Sequence, residues 1–305
     1  MEKRNKKLVT HNGSFHADDV FACATLSLML EKLGQDFEVK RTRDEDLIKN
    51  ADYVFDVGGI YDPELNRFDH HQKGGSGHRD NGIEYSSFGL VWKHFGNEIT
   101  GGTEISKRVD EKLVQIVDAI DNGMDISSSV IPNVVNYGIY DIVATFHPSY
   151  KEINPDHDSA FLDILIFAKK LLQKEIEKAQ DQEEIHQYIF KHIDTAAKES
   201  GLLILDEYIP RVEIYIELIN YPEILFVVSP GSIKMTMWKL ITLRKDMNFF
   251  ENRKDLPAIW GGLKDEEFSK ASGVSDVVFC HRALFLAVTK TKEAATKLAE
   301  LALLA

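Results

Sequence analysis

Oxygen and imidazole side chains gather at four places in the first 125 residues of the chain. The first, Thr10-His11-Asn12-Gly13-Ser14-Phe15-His16-Ala17-Asp18-Asp19, places two His and two Asp within nine residues around a glycine-containing turn. Asp18 or Asp19 alone could simply cap a helix, but His16 beside them is harder to explain as packing. The second, Asp56-Val57-Gly58-Gly59, ends an apolar run on a carboxylate, with glycines that let backbone approach a ligand closely. An ordinary Asp-x-Gly turn would look the same. The third, Asp69-His70-His71-Gln72, offers oxygen and imidazole ligands with no thiolate, a donor set that suits Mn²⁺, Mg²⁺ or Fe²⁺ better than structural zinc. Neighbouring residues on extended backbone face opposite ways, so His70 and His71 are expected to divide their work between metal and substrate. In the fourth, Val117-Asp118-Ala119-Ile120-Asp121-Asn122-Gly123, Asp118 and Asp121 lie three apart and share a helical face. In so acidic a chain that pair could also be a solvated surface.

Together the four clusters form a set that none makes alone. Two cations about 3.5–4 Å apart require about this many ligands, and would activate a water while stabilising the oxyanion of an in-line attack on phosphorus. Residue chemistry thus reaches metal-assisted phosphoester hydrolysis.

The elements that must position these groups follow from periodicity. Leu8–His11, Phe37–Thr42 and Tyr53–Asp56 read as strands, and Asp18–Leu33, Ser86–Phe95 and Glu104–Ile120 as helices. Strands alternating with helices predict an α/β fold with a mostly parallel sheet. In such sheets ligands bind beyond the carboxyl ends of the strands, where His11, Asp56 and Asp69-His70-His71 fall. Residues 126–200 read as an irregular connector, punctuated by Pro132, Pro148 and Pro155, and then two helices, Phe161–Ala179 and Glu183–Ala197, broken near Asp181. Asp156-His157-Asp158 reads as a helix start.

From Gly201 the pattern changes to short strands at Leu202–Leu205, Arg211–Ile216, Ile224–Val228, Ile233–Leu240 and Val277–Cys280, with a closing helix at Lys292–Leu303. Three segments are therefore expected: a catalytic domain over 1–125, helices completing that lobe over 126–200, and a smaller α+β domain over 201–305.

Bulk composition narrows the setting. A length of 305 residues favours more than one core. A net charge of −13 argues against coating nucleic acid by bulk attraction, though carboxylates gathered around cations are compatible with a nuclease. The two cysteines, Cys23 and Cys280, suggest neither a disulfide framework nor a zinc ribbon. The basic start runs directly into a strand, so no secretory leader is expected, and no apolar stretch is long enough to span a bilayer. The expectation is a soluble intracellular protein, in the cytoplasm or else an organelle or the nucleus, with no membrane association and no obligate protein partner.

At these residues the chain resembles the DHH phosphoesterase superfamily, which includes RecJ-type exonucleases and manganese inorganic pyrophosphatases, and within it the MYG-type nuclease family. The resemblance rests on Thr10-His11-Asn12-Gly13 with His16 and Asp18, Arg41-Thr42-Arg43-Asp44, Asp56-Val57-Gly58-Gly59 with Tyr61-Asp62-Pro63, Asp69-His70-His71-Gln72, and Val117-Asp118 to Gly123. It continues through Trp260, Gly262-Leu263, Ser272-Gly273, and Phe279 with His281, so it spans nearly the whole chain. His16 stands where the superfamily usually carries an Asp, and Arg282-Ala283-Leu284 follows His281 where relatives often carry small residues before an aromatic.

The resemblance implies that His11, His16, Asp18, Asp56, His70 and Asp118 are metal ligands, with Asp121 the rival to Asp118 and Asp56 a possible bridge. It also implies that His71 contacts a phosphate oxygen and that Asp69 orients a histidine. Gly261, Gly262, His281, Arg41 and Arg43 would meet substrate. The cofactor implied is a pair of divalent ions, Mn²⁺ or alternatively Mg²⁺. The activity implied is 3′–5′ exonucleolytic hydrolysis of RNA or single-stranded nucleic acid, with the C-terminal domain closing over the site. A small-molecule phosphatase or pyrophosphatase, and a catalytically silent metal-containing nucleic-acid-binding protein, are the alternatives. Between Ser232 and Lys264, seven Lys or Arg against three Asp or Glu offer either a solvated loop or a phosphate-contact surface.

Overall fold

A computed structural model describes residues 4–247 and 250–305, so the first three residues of the basic start lie outside the described residues. The chain divides into two compact units, Met1–Asp181 and Gln182–Ala305.

The first unit begins with β1 (Lys6–Thr10), α1 (Ala17–Lys32), β2 (Phe37–Arg41), α2 (Glu45–Lys49), β3 (Tyr53–Phe55), β4 (Tyr61–Asp62) and β5 (Arg67–Phe68). Helices follow: α3 (Ser87–Thr100), α4 (Thr103–Val109), a π-helical turn over Asp110–Val114, α5 (Gln115–Asp121), α6 (Ile139–Ala144) and α7 (His157–His192). The five strands lie in the order β2-β1-β3-β5-β4. All neighbours are parallel except β4 against β5. Because β1, β3 and β5 are consecutive and parallel, the residues just after them, His11, Asp56 and Asp69-His70-His71, emerge side by side at one sheet edge. Neighbouring strands are about 4.8 Å apart, so this alone brings the groups within a few ångströms.

Helix α1 is buried on every side from Ala17 to Leu30, as an all-round apolar sequence requires. Phe21 meets Phe88 of α3 with ring centroids 5.3 Å apart. Two acidic residues of its first turn, Asp18 and Asp19, are carried into the interior with it. Glu104–Ile120, expected as one helix, is α4 and α5 joined by the π turn.

Helix α7 is continuous through Asp181, where the sequence predicts a break. No Gly or Pro interrupts it there, and the unit boundary falls within the helix.

The second unit adds α8 (Thr195–Ser200), β6 (Leu202–Ile204), α9 (Arg211–Leu218), β7 (Phe226–Pro230), β8 (Trp238–Thr242), α10 (Asp265–Ser272), β9 (Val277–Cys280), β10 (Leu286–Thr289) and α11 (Lys292–Leu304). Its sheet runs β6-β7-β8-β10-β9 and is antiparallel except for β6 with β7, an α+β arrangement as expected. Arg211–Ile216 is a correction: its β-branched alternation predicts a strand, yet it opens α9. Burial of Ile214, Tyr215 and Leu218 at helical spacing, after Pro210, outweighs the alternation. The strand expected over Ile233–Leu240 begins only at Trp238, after a turn in which Met235 takes φ 50°. No helix among the described residues is long and apolar enough to cross a membrane.

Candidate metal centre

Asp56 is the pivot of the site. It follows β3 directly and takes a left-handed conformation, φ 52°, which Asp tolerates better than most residues. One carboxylate oxygen lies 3.0 Å from His11 Nε2, and the other lies 3.4 Å from His70 Nε2. Ser87 Oγ donates to the latter at 3.3 Å. Each oxygen of one buried carboxylate thus faces a different imidazole.

Around this pivot three sets of side chains bring ligand atoms within 4.8 Å of one another: His11, His16 and Asp56; Asp56, His70 and His71; and His16, Asp18 and Asp121. His70 Nε2 also lies 3.3 Å from Asp121 and 3.8 Å from Asp18. Asp18 is 1% exposed, and neither of its oxygens has a hydrogen-bond partner. A buried carboxylate without a partner is strongly unfavourable. Divalent cations are what this donor set fits, since positive charge among these carboxylates removes the penalty and hard oxygens with imidazoles are suitable ligands.

The protonation behaviour points the same way. Burial, then the charges of Asp56, Asp121 and Asp19, push the Asp18 carboxyl well above the usual range. Burial would lower His11, but the carboxylates of Asp19 and Asp56 outweigh it and raise the imidazole to about 10. Burial would likewise raise Asp56, but His11 and His70 hold it below the usual range.

Asp19 was not singled out as a site residue, yet it is fully buried here. One oxygen accepts the His16 backbone N–H at 2.8 Å, in the manner of a capping box, and the other lies 3.3 Å from His11 Nε2. Its position three residues after His16 is the signal that could have revealed it.

Asp69 is buried and fixes the loop after β5. Its Oδ2 accepts the Gly59 N–H at 2.6 Å, while Oδ1 accepts from the His71 backbone at 3.0 Å and lies 2.8 Å from His71 Nδ1. His71 itself is 62% exposed at its side chain, so the histidine that Asp69 orients presents its other nitrogen outward. Together with Arg43, His16 and the Gly58-Gly59 backbone, it borders a cleft of about 420 Å³.

Asp118 and Arg41 stand elsewhere than expected. Asp118 accepts from Ser86 Oγ at 2.5 Å, the Gly89 N–H at 3.0 Å and Arg79 at 2.6 Å, and is absent from the three ligand sets. A Cβ on Gly89 would fall 1.9 Å from Asp118 Oδ2, so this carboxylate locks α3 to α5, while Asp121, one turn later, falls in one of the three sets. Arg41 is also buried: it donates to Gly13 O at 2.7 Å, His157 O at 3.0 Å and Asp158 at 3.0 Å. Its guanidinium packs over Phe15 and Phe161. That clamp ties the His11–His16 loop to α7 and leaves Arg41 no face for substrate. Arg41→Met is expected to cost about 1–3 kcal/mol of stability, lowering the melting temperature by several degrees. Thermal unfolding followed by circular dichroism measures it, and an unchanged midpoint would refute the clamp.

In the second unit, Gly262 donates to Cys280 O at 3.1 Å, which sets the Gly261-Gly262 turn beside His281. Gly261 is closely packed, a Cβ there coming 3.1 Å from Leu284 Cδ2. Two of the seven basic residues between 232 and 264 are consumed within the fold: Arg253 donates to five backbone carbonyls, and Lys239 is buried against Ile209 O. Burial, aided by the nearby Arg211 charge, lowers Lys239 to about 8. Trp260 lies in the core.

A family model, MYG1_exonuc, described as "Uncharacterised protein family (UPF0160)", matches residues 7–303. The MYG1 protein of Chlamydia muridarum is 32% identical, covering 93% of this chain and 92% of its own. The MYG1 protein of Caenorhabditis elegans is 30% identical over 96% of this chain and 94% of its own. The human protein named MYG1 exonuclease is 29% identical over 96% of this chain and 84% of its own. Among solved structures, exonuclease RecJ bound to manganese aligns with 98% of this chain and 90% of that one, at 14% identity and a TM-score of 0.30.

Proposed function

The chain belongs to the MYG1_exonuc family, and on that footing we propose that it is a metal-dependent phosphodiester hydrolase, a 3′–5′ exonuclease of RNA or single-stranded nucleic acid. The observation that carries the metal dependence is the buried Asp18 carboxylate, which has no hydrogen-bond partner and lies beside Asp56, Asp121, His16 and His70.

His11, His16 and Asp56 would hold one divalent ion, and Asp18, Asp56, His70 and Asp121 a second. When bound, Mn²⁺ or Mg²⁺ supplies Lewis acidity toward a phosphate oxygen and a water. The protein's own groups do the rest. Asp56 keeps the two halves of the site in register through its opposed oxygens. The Asn12 carbonyl, 3.1 Å from His11 Nδ1, orients that ring so that its Nε2 faces Asp56 and Asp19, and Asp69 holds His71 by Nδ1, so that Nε2 is aimed into the cleft. In its protonated form that nitrogen donates to a phosphate oxygen as charge develops there, a contact expected to strengthen in the transition state. Arg43 adds positive charge at the rim of the same cleft. In the second unit, Gly261, Gly262 and His281 are proposed to contact the nucleic-acid chain, on their resemblance to a substrate-binding motif.

The test is product analysis. End-labelled single-stranded RNA, the matching DNA and inorganic pyrophosphate are incubated with purified protein and Mn²⁺. Stepwise release of mononucleotides from the 3′ end supports the proposal, whereas turnover of pyrophosphate alone makes the protein a small-molecule phosphatase.

Metal binding should also show in stability and in its pH dependence. At about one hundred times its Kd, Mn²⁺ is expected to stabilise the fold by about 2.7 kcal/mol. His11 and His70 have raised pKa values without metal, so each must release its proton on ligation. Affinity should therefore tighten as pH rises from about 6 to about 8. Calorimetry in two buffers of different ionisation enthalpy measures the protons released, and pH-independent binding over that range would contradict the assignment.

A further inference from the structure

A second cavity of about 710 Å³ adjoins the metal cleft within the first unit, and the two share Arg43, Val57 and Gly58. Its size falls in the range of small-molecule sites. Its floor is apolar: Ile48, Val57, Ile60 and Leu65, the last two 55% and 63% exposed. Three cations, Arg43, Lys49 and Arg67, border it against a single carboxylate, Glu45. In a chain of net charge −13 such a rim is a local reversal of sign.

Gly58 sits where the two cavities meet. It takes φ 96°, and a Cβ there would come 3.3 Å from Ile48 Cγ2. Any side chain would crowd the junction and strain the backbone. Arg67 donates to the carbonyls of Leu65, Asn66, Lys49 and Ala51, so it fixes the wall and contributes charge without freedom to move. Arg43 pairs with no carboxylate among the described residues, and its exposed guanidinium stands at the boundary of both cavities. Apolar floor, cationic rim and direct continuity with the metal cleft are what a nucleotide unit next to the scissile phosphate demands, a flat base on one side and a phosphate on the other.

Resting on the exonuclease reading above, we propose that this groove between α2 and the β3–β5 edge is the subsite for the nucleotide adjoining the cleaved bond of a single-stranded chain. The base lies on Ile60 and Leu65, and its phosphate meets Arg43 and Lys49. A second apolar cavity, of about 450 Å³ beside α5 and α6, is bordered by Asp125 and Asp141 with no Lys or Arg. Its charge disfavours a phosphate backbone.

Binding tests this separately from turnover. Fluorescence anisotropy of a labelled eight-nucleotide single-stranded RNA is measured without divalent metal for the full-length wild type, Lys49→Glu, Leu65→Asp and, as a control in the acidic cavity, Met124→Ala. Lys49→Glu is expected to weaken binding about tenfold at all sequences and to flatten the dependence of log affinity on log salt by about 0.7. Leu65→Asp should weaken it similarly, with Met124→Ala unchanged. Both substituted positions are exposed, so melting temperatures should match wild type. Unchanged affinity in Lys49→Glu and Leu65→Asp, or a loss confined to Met124→Ala, overturns the assignment. So does a wild type that does not bind the RNA. Turnover of the RNA and of bis(p-nitrophenyl) phosphate is measured separately, and Met124→Ala should match the wild type in both. If the wild type binds RNA through the groove yet cleaves neither substrate, the subsite stands and the hydrolase reading fails.

Discussion

Asp56→Asn is expected to lower oligonucleotide turnover by at least about 10³-fold, equivalent to about 4 kcal/mol of transition-state stabilisation, while leaving the fold intact. Asn has nearly the same shape and shares the tolerance of Asp for the left-handed backbone that residue 56 adopts, so β3 and the Gly58-Gly59 turn need not move. The change removes a carboxylate whose two oxygens face different histidines. An amide oxygen is a weaker ligand and cannot serve both sides. In chelator the melting temperature should be close to that of wild type, because Asp18, Asp19 and Asp121 lose a like-charged neighbour while His11 and His70 lose a partner. The rise in melting temperature on adding Mn²⁺ should vanish. Turnover within about tenfold of wild type would show that Asp56 is not the shared ligand.

His71→Ala has the second largest expected effect and a different signature. The side chain is largely exposed and its closest polar partner is Asp69, so its removal should cost little stability. Loss of a donor that acts chiefly in the transition state typically lowers kcat by about 10²–10³ with KM little changed. Metal content should stay at the wild-type level. His71 Nδ1 also lies 3.5 Å from Asp56. Loss of a metal ion in His71→Ala would make His71 a ligand instead of a phosphate contact.

Much of the site was legible because chain order and sheet order nearly coincide. Groups ending apolar runs at His11, Asp56 and Asp69 emerge side by side once β1, β3 and β5 pair in parallel, which the alternation of strands and helices already implied. The choice between Asp118 and Asp121 was not legible. Both share a helical face in sequence, and only the packing of Gly89 and Arg79 against α5 shows which one is consumed. Arg41 misled for a similar reason: besides Gly13 in the loop before α1, its partners His157 and Asp158 are brought to it by α7, more than one hundred residues away. Asp19 stayed hidden behind its capping role. Arg211–Ile216 shows local alternation yielding to tertiary burial, and the unbroken α7 shows that a polar stretch without Gly or Pro is not a breaker.

The most direct measurement is elemental analysis of purified protein paired with hydrolysis of end-labelled single-stranded RNA, with and without chelator. The expected result is about two divalent ions per chain in wild type and fewer in Asp56→Asn, with mononucleotide release abolished by chelator and restored by Mn²⁺. Hydrolysis that proceeds equally in chelator, or a wild type that holds its metal yet cleaves no phosphoester, would contradict the central claim that these His and Asp residues form a hydrolytic metal centre.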